Sequence, residues 1–286
     1  AGTITLTVSI AGDTNYLGAT TSALITIGAG TQTLNFTSAS TTTVGGALTA
    51  TVISTATSSS GGDITYSITA GSGSATVNLT TGFVTAISIG TVTLTATSAG
   101  DTNYYAATTS QLITISKGTP TLVITSASTM TTGTSMTATV TTNATDGQGG
   151  AITFAVIGGS GSATVDPTTG LISAVSVGTV TLISTSAGDT NYNGATVSQL
   201  ITITVGSQTL TVTSASIMTI DGALTASVTT TATFGRGGTW SYSIVNGTGV
   251  ATVNPTTGLI AAIGAGAVTL TVASSGDADY SPATTQ

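Results

Sequence analysis

One block of sequence returns at a fixed interval along the whole chain. Gly-Asp-Thr-Asn-Tyr occupies Gly12–Tyr16, Gly100–Tyr104 and Gly188–Tyr192, and the variant Gly-Asp-Ala-Asp-Tyr occupies Gly276–Tyr280, each 88 residues after the one before. Two further markers keep the same interval. Thr-Leu-x-x-Thr-Ser-Ala-Ser starts at Thr33, Thr121 and Thr209, and Thr-Thr-Gly stands at Thr80–Gly82, Thr168–Gly170 and Thr256–Gly258. No insertion or deletion shifts the register, so the chain is an array of one supersecondary unit.

A unit of this length can fold on a single core. It reads as seven short strands separated by turn signals, the pattern of an all-β sandwich. In the first full copy Leu34 and Phe36 alternate in strand A, and Leu48, Ala50 and Val52 in B. Ile64, Tyr66 and Ile68 follow in C, Ala75 and Val77 in D, Val84 and Ala86 in E, and Val92, Leu94 and Ala96 in F. Strand G is Leu24–Ile27, Leu112–Ile115 or Leu200–Ile203. A period of two puts these side chains on one face, with Thr49, Thr51, Thr93 and Thr95 on the other. Ile64, Ile152 and Trp240 are equivalent, which places the single Trp in or beside the core of its copy rather than in a ligand-stacking role.

Composition narrows the chemistry. The chain has 2 Lys+Arg, 9 Asp+Glu and no His or Cys. Every acid is Asp, and the bases are Lys117 and Arg236. General acid–base catalysis and activated nucleophiles need a tunable base, so an enzyme is not expected. Zinc, haem and iron–sulfur centres draw on His or Cys, and no cofactor is expected. A net charge of −7 argues against a nucleic-acid partner, because phosphate binding needs clustered Lys and Arg. No run of eighteen apolar residues suggests a membrane span.

The run Ile64–Gly100 carries a resemblance. Val77, Thr81, Gly82, Val84, Thr85 and Ala86, followed by Gly90, Thr91, Val92, Thr93 and Leu94, resemble the strand D to F signature of bacterial immunoglobulin-like domain repeats of the invasin and intimin type. The Gly-Asp-x-Asn-Tyr element resembles the F–G turn of related bacterial surface repeats. The resemblance implies tandem seven-stranded immunoglobulin-like β-sandwiches in a linear array, and an extracellular, cell-surface location. Such modules act as spacers in many contexts.

With strand A as the start, the copies are expected at 29–116, 117–204 and 205–286, after a partial copy at 1–28 that equals the F–G hairpin; the last lacks its final strand. Gly28–Gly30, Ser116–Gly118 and Val205–Gly206 are short junctions without flexible-linker composition, so limited hinge motion is expected. The partial ends fit a window on a longer array. A second reading is donor-strand exchange, in which residues 22–28 complete the last sandwich of a neighbouring molecule; residues 1–11, which duplicate a strand F, weigh against it.

The recurrent turn residues are the structural candidates: Gly12, Asp13 and Tyr16; Gly100, Asp101 and Tyr104; Gly188, Asp189 and Tyr192; Gly276, Asp277 and Tyr280. Asp13, Asp101, Asp189 and Asp277 are also calcium candidates, with Asp101 expected near Asp63 and the Gly28–Gly30 junction. Ca²⁺ wants six to eight oxygens. Yet Ala151 and Thr239 replace Asp63 in later copies, and Asp146 alone can substitute in the second. A turn in which Asp caps its own backbone is the stronger reading, and no metal is expected. The tyrosines should pack over the sandwich end with their hydroxyls bonded to backbone. The Gly-rich B–C loops (Gly61-Gly62, Gly147–Gly150, Gly235–Gly238) lack the Lys and helix of a phosphate loop, and Arg236 occurs in one copy only.

The expected function is a structural extracellular repeat protein, a surface filament or adhesin stalk whose partners are neighbouring copies of itself, end to end or lateral. The alternative is a cell-surface module that reads glycan or host protein through its loops. Near-identity of the copies favours the scaffold.

Overall fold

The computed structural model describes residues 1–57, 61–144 and 149–286. They are all-β; among them no helix is long and apolar enough to cross a membrane. The chain divides into two compact units, one of Ala1–Pro120, Ala144–Gly150 and Gly188–Asn193, the other of Thr121–Asn143, Ala151–Ala187 and Gly194–Gln286.

In the first unit, β1 (Gly2–Ile10) and β2 (Ala19–Ile27) form an antiparallel hairpin whose side chains are all exposed. The sandwich follows. Its strands are β3 (Leu34–Phe36), β4 (Thr41–Thr43), β5 (Ala47–Thr49), β6 (Val52–Ser54), β7 (Ile64–Ala70), β8 (Ser74–Val77), β9 (Phe83–Ser88), β10 (Gly90–Ser98) and β11 (Ala107–Ser116). One sheet has the order β4-β11-β10-β7, the other β5-β9-β8, and β3 pairs with β6. This is the immunoglobulin-like arrangement, with strand G between F and a short parallel strand from the A segment.

Seven strands were expected, and the structure divides the chain more finely. Strand B is in two pieces because the Ala50 amide turns to the Gly82 carbonyl, 2.9 Å away, so β5 pairs with β9 while β6 pairs with β3. Strand A also breaks after Phe36, and its continuation β4 crosses to the other sheet beside β11. Neither break changes the alternation of side chains, so hydropathy alone does not mark them.

The core is the alternating set. Val84, Val92, Leu94, Ala96 and Ile113 are completely buried or nearly so, and Tyr66 packs with them. Full burial of each large aliphatic side chain stabilises the fold by about 1.5–3 kcal/mol. Thr93 and Thr95 face outward. Tyr192 belongs to this same buried cluster, although it comes from a turn 88 residues beyond Tyr104.

The second unit holds two such arrangements. In one, Ile152–Gly158, Gly178–Ser186, Ala195–Thr204 and Thr129–Thr131 make the four-stranded sheet, facing Ser135–Thr137, Leu171–Ser176 and Ser162–Val165. In the other, Trp240–Asn246, Val268–Ser274 and Ala283–Thr285 oppose Ala223–Thr225, Leu259–Gly264 and Val250–Val253. Ala283–Thr285 pairs only with Val272–Ser274, the end of its neighbour. Trp240 is half-buried against the third core.

Candidate functional site

Each recurrent turn is built on its aspartate. In the first sandwich the Asp101 amide donates to the Tyr104 carbonyl at 2.9 Å, and Asp101 Oδ1 accepts from the amides of Asn103 (2.7 Å) and Tyr104 (2.8 Å). Asp13, Asp189 and Asp277 make the same pair of bonds within their turns. Gly100 holds φ at +74°, and a β-carbon there would lie 2.6 Å from the Tyr104 carbonyl oxygen, so no other residue fits.

The second carboxylate oxygen ties the turn to the B–C loop. Asp101 Oδ2 accepts from the Gly61 amide at 2.9 Å, Asp189 Oδ2 from Gly149 at 2.7 Å, and Asp277 Oδ2 from Gly237 at 2.7 Å. These amides, that of the B–C loop first, hold the three carboxyls below their ordinary 3.8. Asp13 is lowered by the amides of Asn15 and Tyr16. Where a cation would need free oxygens, Asp101, Asp189 and Asp277 offer oxygens already bonded to N–H groups. Among the described residues no group of three or more His, Cys, Asp or Glu is placed to hold a metal ion. Asp146 and Gly147 lie outside the described residues.

The tyrosines differ by copy. Tyr16 is 78% exposed, Tyr104 is half-buried, and Tyr192 and Tyr280 are buried. The Tyr104 hydroxyl lies 3.0 Å from Thr57 Oγ1, and the Tyr280 hydroxyl 2.8 Å from Thr233 Oγ1. These threonine contacts, side chain then amide, hold the Tyr104 phenol below its ordinary 10.0.

What buries Tyr192 and Tyr280 is the preceding copy. Tyr192 lies against the turn at Val44-Gly45 and against Gly118, and Tyr280 against the turn at Thr132-Gly133 and against Gly206. The residue before each tyrosine completes the contact. Asn191 Oδ1 accepts from the Ile89 amide at 3.1 Å, and Asp279 Oδ1 from the Val177 amide at 2.6 Å. Ile89 and Val177 occupy the same E–F turn in successive copies. A tyrosine ring on a tight turn and a side chain capping a backbone amide thus make one joint, found once in each unit.

Sequence reasoning placed the four turns but not the joint, because the partner loops carry no distinctive residues of their own. It also missed Asn191 and Asp279, whose signal was the fourth position of the motif. Arg236, read as incidental to one copy, forms an ion pair with Asp279. Both are peculiar to the third copy, which gives the pair a sequence trace. Asn78, Asp166 and Asn254, ahead of each Thr-Thr-Gly, cap those turns through their side-chain oxygens. Gln32, buried in the first sandwich, donates to the Gly61 and Tyr105 carbonyls and to Ser98 Oγ. Gln208 repeats this in the third copy, while Pro120 stands at the place in the second.

No protein-family profile matches the chain, and no curated protein matches it. Among solved structures it is similar to the fibronectin(III)-like modules of Clostridium thermocellum CbhA, at 13% identity over 59% of this chain and 93% of that one, with a TM-score of 0.25. A C-terminal 282-residue fragment of intimin, solved with the intimin-binding domain of its translocated receptor, aligns at 16% identity over 63% of this chain and 66% of that one, with a TM-score of 0.25. Three N-terminal domains of the bacteriophage RB49 outer capsid protein Hoc align at 13% identity over 89% and 96%, again at 0.25.

Proposed function

We propose that the chain is a segment of an extracellular structural array, a stalk or filament in which successive sandwiches are joined stiffly end to end. The observation that carries this reading is the recurrence of one joint with the same parts. Tyr192 with Asn191, and Tyr280 with Asp279, each seat on the preceding copy's turn and cap its E–F amide. A joint made of a buried ring plus a directed hydrogen bond restricts both bending and rotation, which is what a spacer needs and a loop-based reader does not. The composition supports the same reading: without His, Cys or Glu, and with one Lys, the chain has few groups to act as catalyst or metal ligand.

Electron microscopy of the purified chain, with and without a calcium chelator, tests the proposal. Extended particles with a regular domain spacing, unchanged by chelation, are expected; assembly into long unbranched fibres would select the filament over the stalk. Particles freely bent at every junction would overturn the reading. Capture of a glycan or host-matrix protein through the loops of one copy would favour the binding module instead.

A further inference from the structure

The turn that receives the tyrosine in the first two copies recurs in the third with the same backbone, and its central residue changes from Gly to Asp. It reads Val44-Gly45-Gly46, Thr132-Gly133-Thr134 and Ile220-Asp221-Gly222. The central residue has a left-handed backbone each time, with φ of +74°, +80° and +60°. Its amide donates to strand E each time, to Ala86, Ala174 and Ala262 at 3.1, 3.2 and 3.1 Å. Asp221 therefore makes this turn with a β-carbon, as Asp and Asn can in the left-handed region. The backbone alone does not demand glycine.

The tyrosine does. A β-carbon at Gly45 would stand 3.0 Å from Tyr192 Oη, and one at Gly133 only 2.5 Å from Tyr280 Oη. Val44 and Thr132, beside these glycines, are buried.

We propose that this position selects which copy can receive a following one. Gly45 and Gly133 admit the tyrosine of the next turn, and Asp221 refuses it, making the third copy's turn a surface that cannot seat a Gly-Asp-x-Asn-Tyr turn in the same way. The partner admitted is thus a second copy of the same repeat, and the residue is a positioning residue that acts through the tyrosine. The inference rests on reading the chain as joined copies. It concerns contacts within one molecule, so it can fail while the array stands, and the array can fail to form fibres without touching it.

The test is a double-substitution cycle on the full chain, read by hydrogen exchange of the Val177 amide, which the joint caps, against core amides such as that of Leu182. Asn tolerates the left-handed backbone, so Gly133→Asn isolates the side chain. It is expected to speed exchange at Val177 at least about tenfold with Leu182 unchanged. Tyr280→Phe removes the clashing hydroxyl, and in that background Gly133→Asn should change Val177 less than about threefold. Equal effects in the two backgrounds, or none in either, would overturn the proposal. Should Gly133→Asn lose its core protection, Gly45→Asn with and without Tyr192→Phe gives the same test at the roomier joint, read at Ile89. The expected effect there is smaller, and a larger one would count against the proposal.

Discussion

The side chain of Asn191 accepts a hydrogen bond from the amide of Ile89, 102 residues earlier in the chain, at 3.1 Å. Asp279 and Val177 repeat the relationship at the same separation. A backbone amide at a domain end normally turns to water. Here it is committed to the next copy, which makes the joint directional as well as apolar.

Removing those caps should loosen the joint by different amounts. Asn191→Ala is expected to cost about 1 kcal/mol, the net worth of one hydrogen bond. Asp279→Ala leaves the Val177 amide and Arg236 without their partner and should cost about 2–3 kcal/mol. Urea unfolding of each variant reads both, and equal losses would show that Arg236 adds nothing.

Acid should weaken the turns. Asp101, Asp189 and Asp277 have folded pKa values below the ordinary 3.8, because amides bond their charged form. Below that value the unfolded chain takes up protons more readily than the folded one. The contribution is therefore complete above pH 3.8 and is lost as pH falls through the depressed folded values. The urea midpoint should stay level from neutral pH to about 5 and fall in more acid solution. Replacing the three by Asn should lower the midpoint at neutral pH and flatten the acid limb.

Core truncations should rank by copy. Leu94 and Leu182 are fully buried, so Leu→Ala at either should cost about 2–5 kcal/mol. Leu270, at the equivalent place, is half-buried. Leu270→Ala should cost about half as much. Chemical denaturation of the three variants gives the order.

Calcium should not matter. Both oxygens of Asp101, Asp189 and Asp277 accept from amides. The melting temperature in millimolar calcium should match that in chelator within about 1 °C, whereas one bound ion in hundredfold excess over its Kd would add about 2.7 kcal/mol.

The sequence by itself determined the repeat, the all-β class and the core face. Those are written in local terms, as an unbroken 88-residue register and a period-two alternation that puts Val92, Leu94 and Ala96 inward and Thr93 and Thr95 outward. It also marked Asp101 and its equivalents, because an Asp capping its own turn needs only residues next to it. Only the tertiary structure decided that strand B breaks at Ala50, whose amide answers to Gly82, and that Tyr192 completes a core begun 148 residues earlier at Val44. The reason is physical. Burial of a ring by a glycine turn, or capping of Ile89 by Asn191, depends on two loops meeting in space, and each loop taken alone is an ordinary turn. The exchange of Gly133 for Asp221 is visible in the letters, but its meaning appears only when Tyr280 is seen 2.5 Å from where a β-carbon would be.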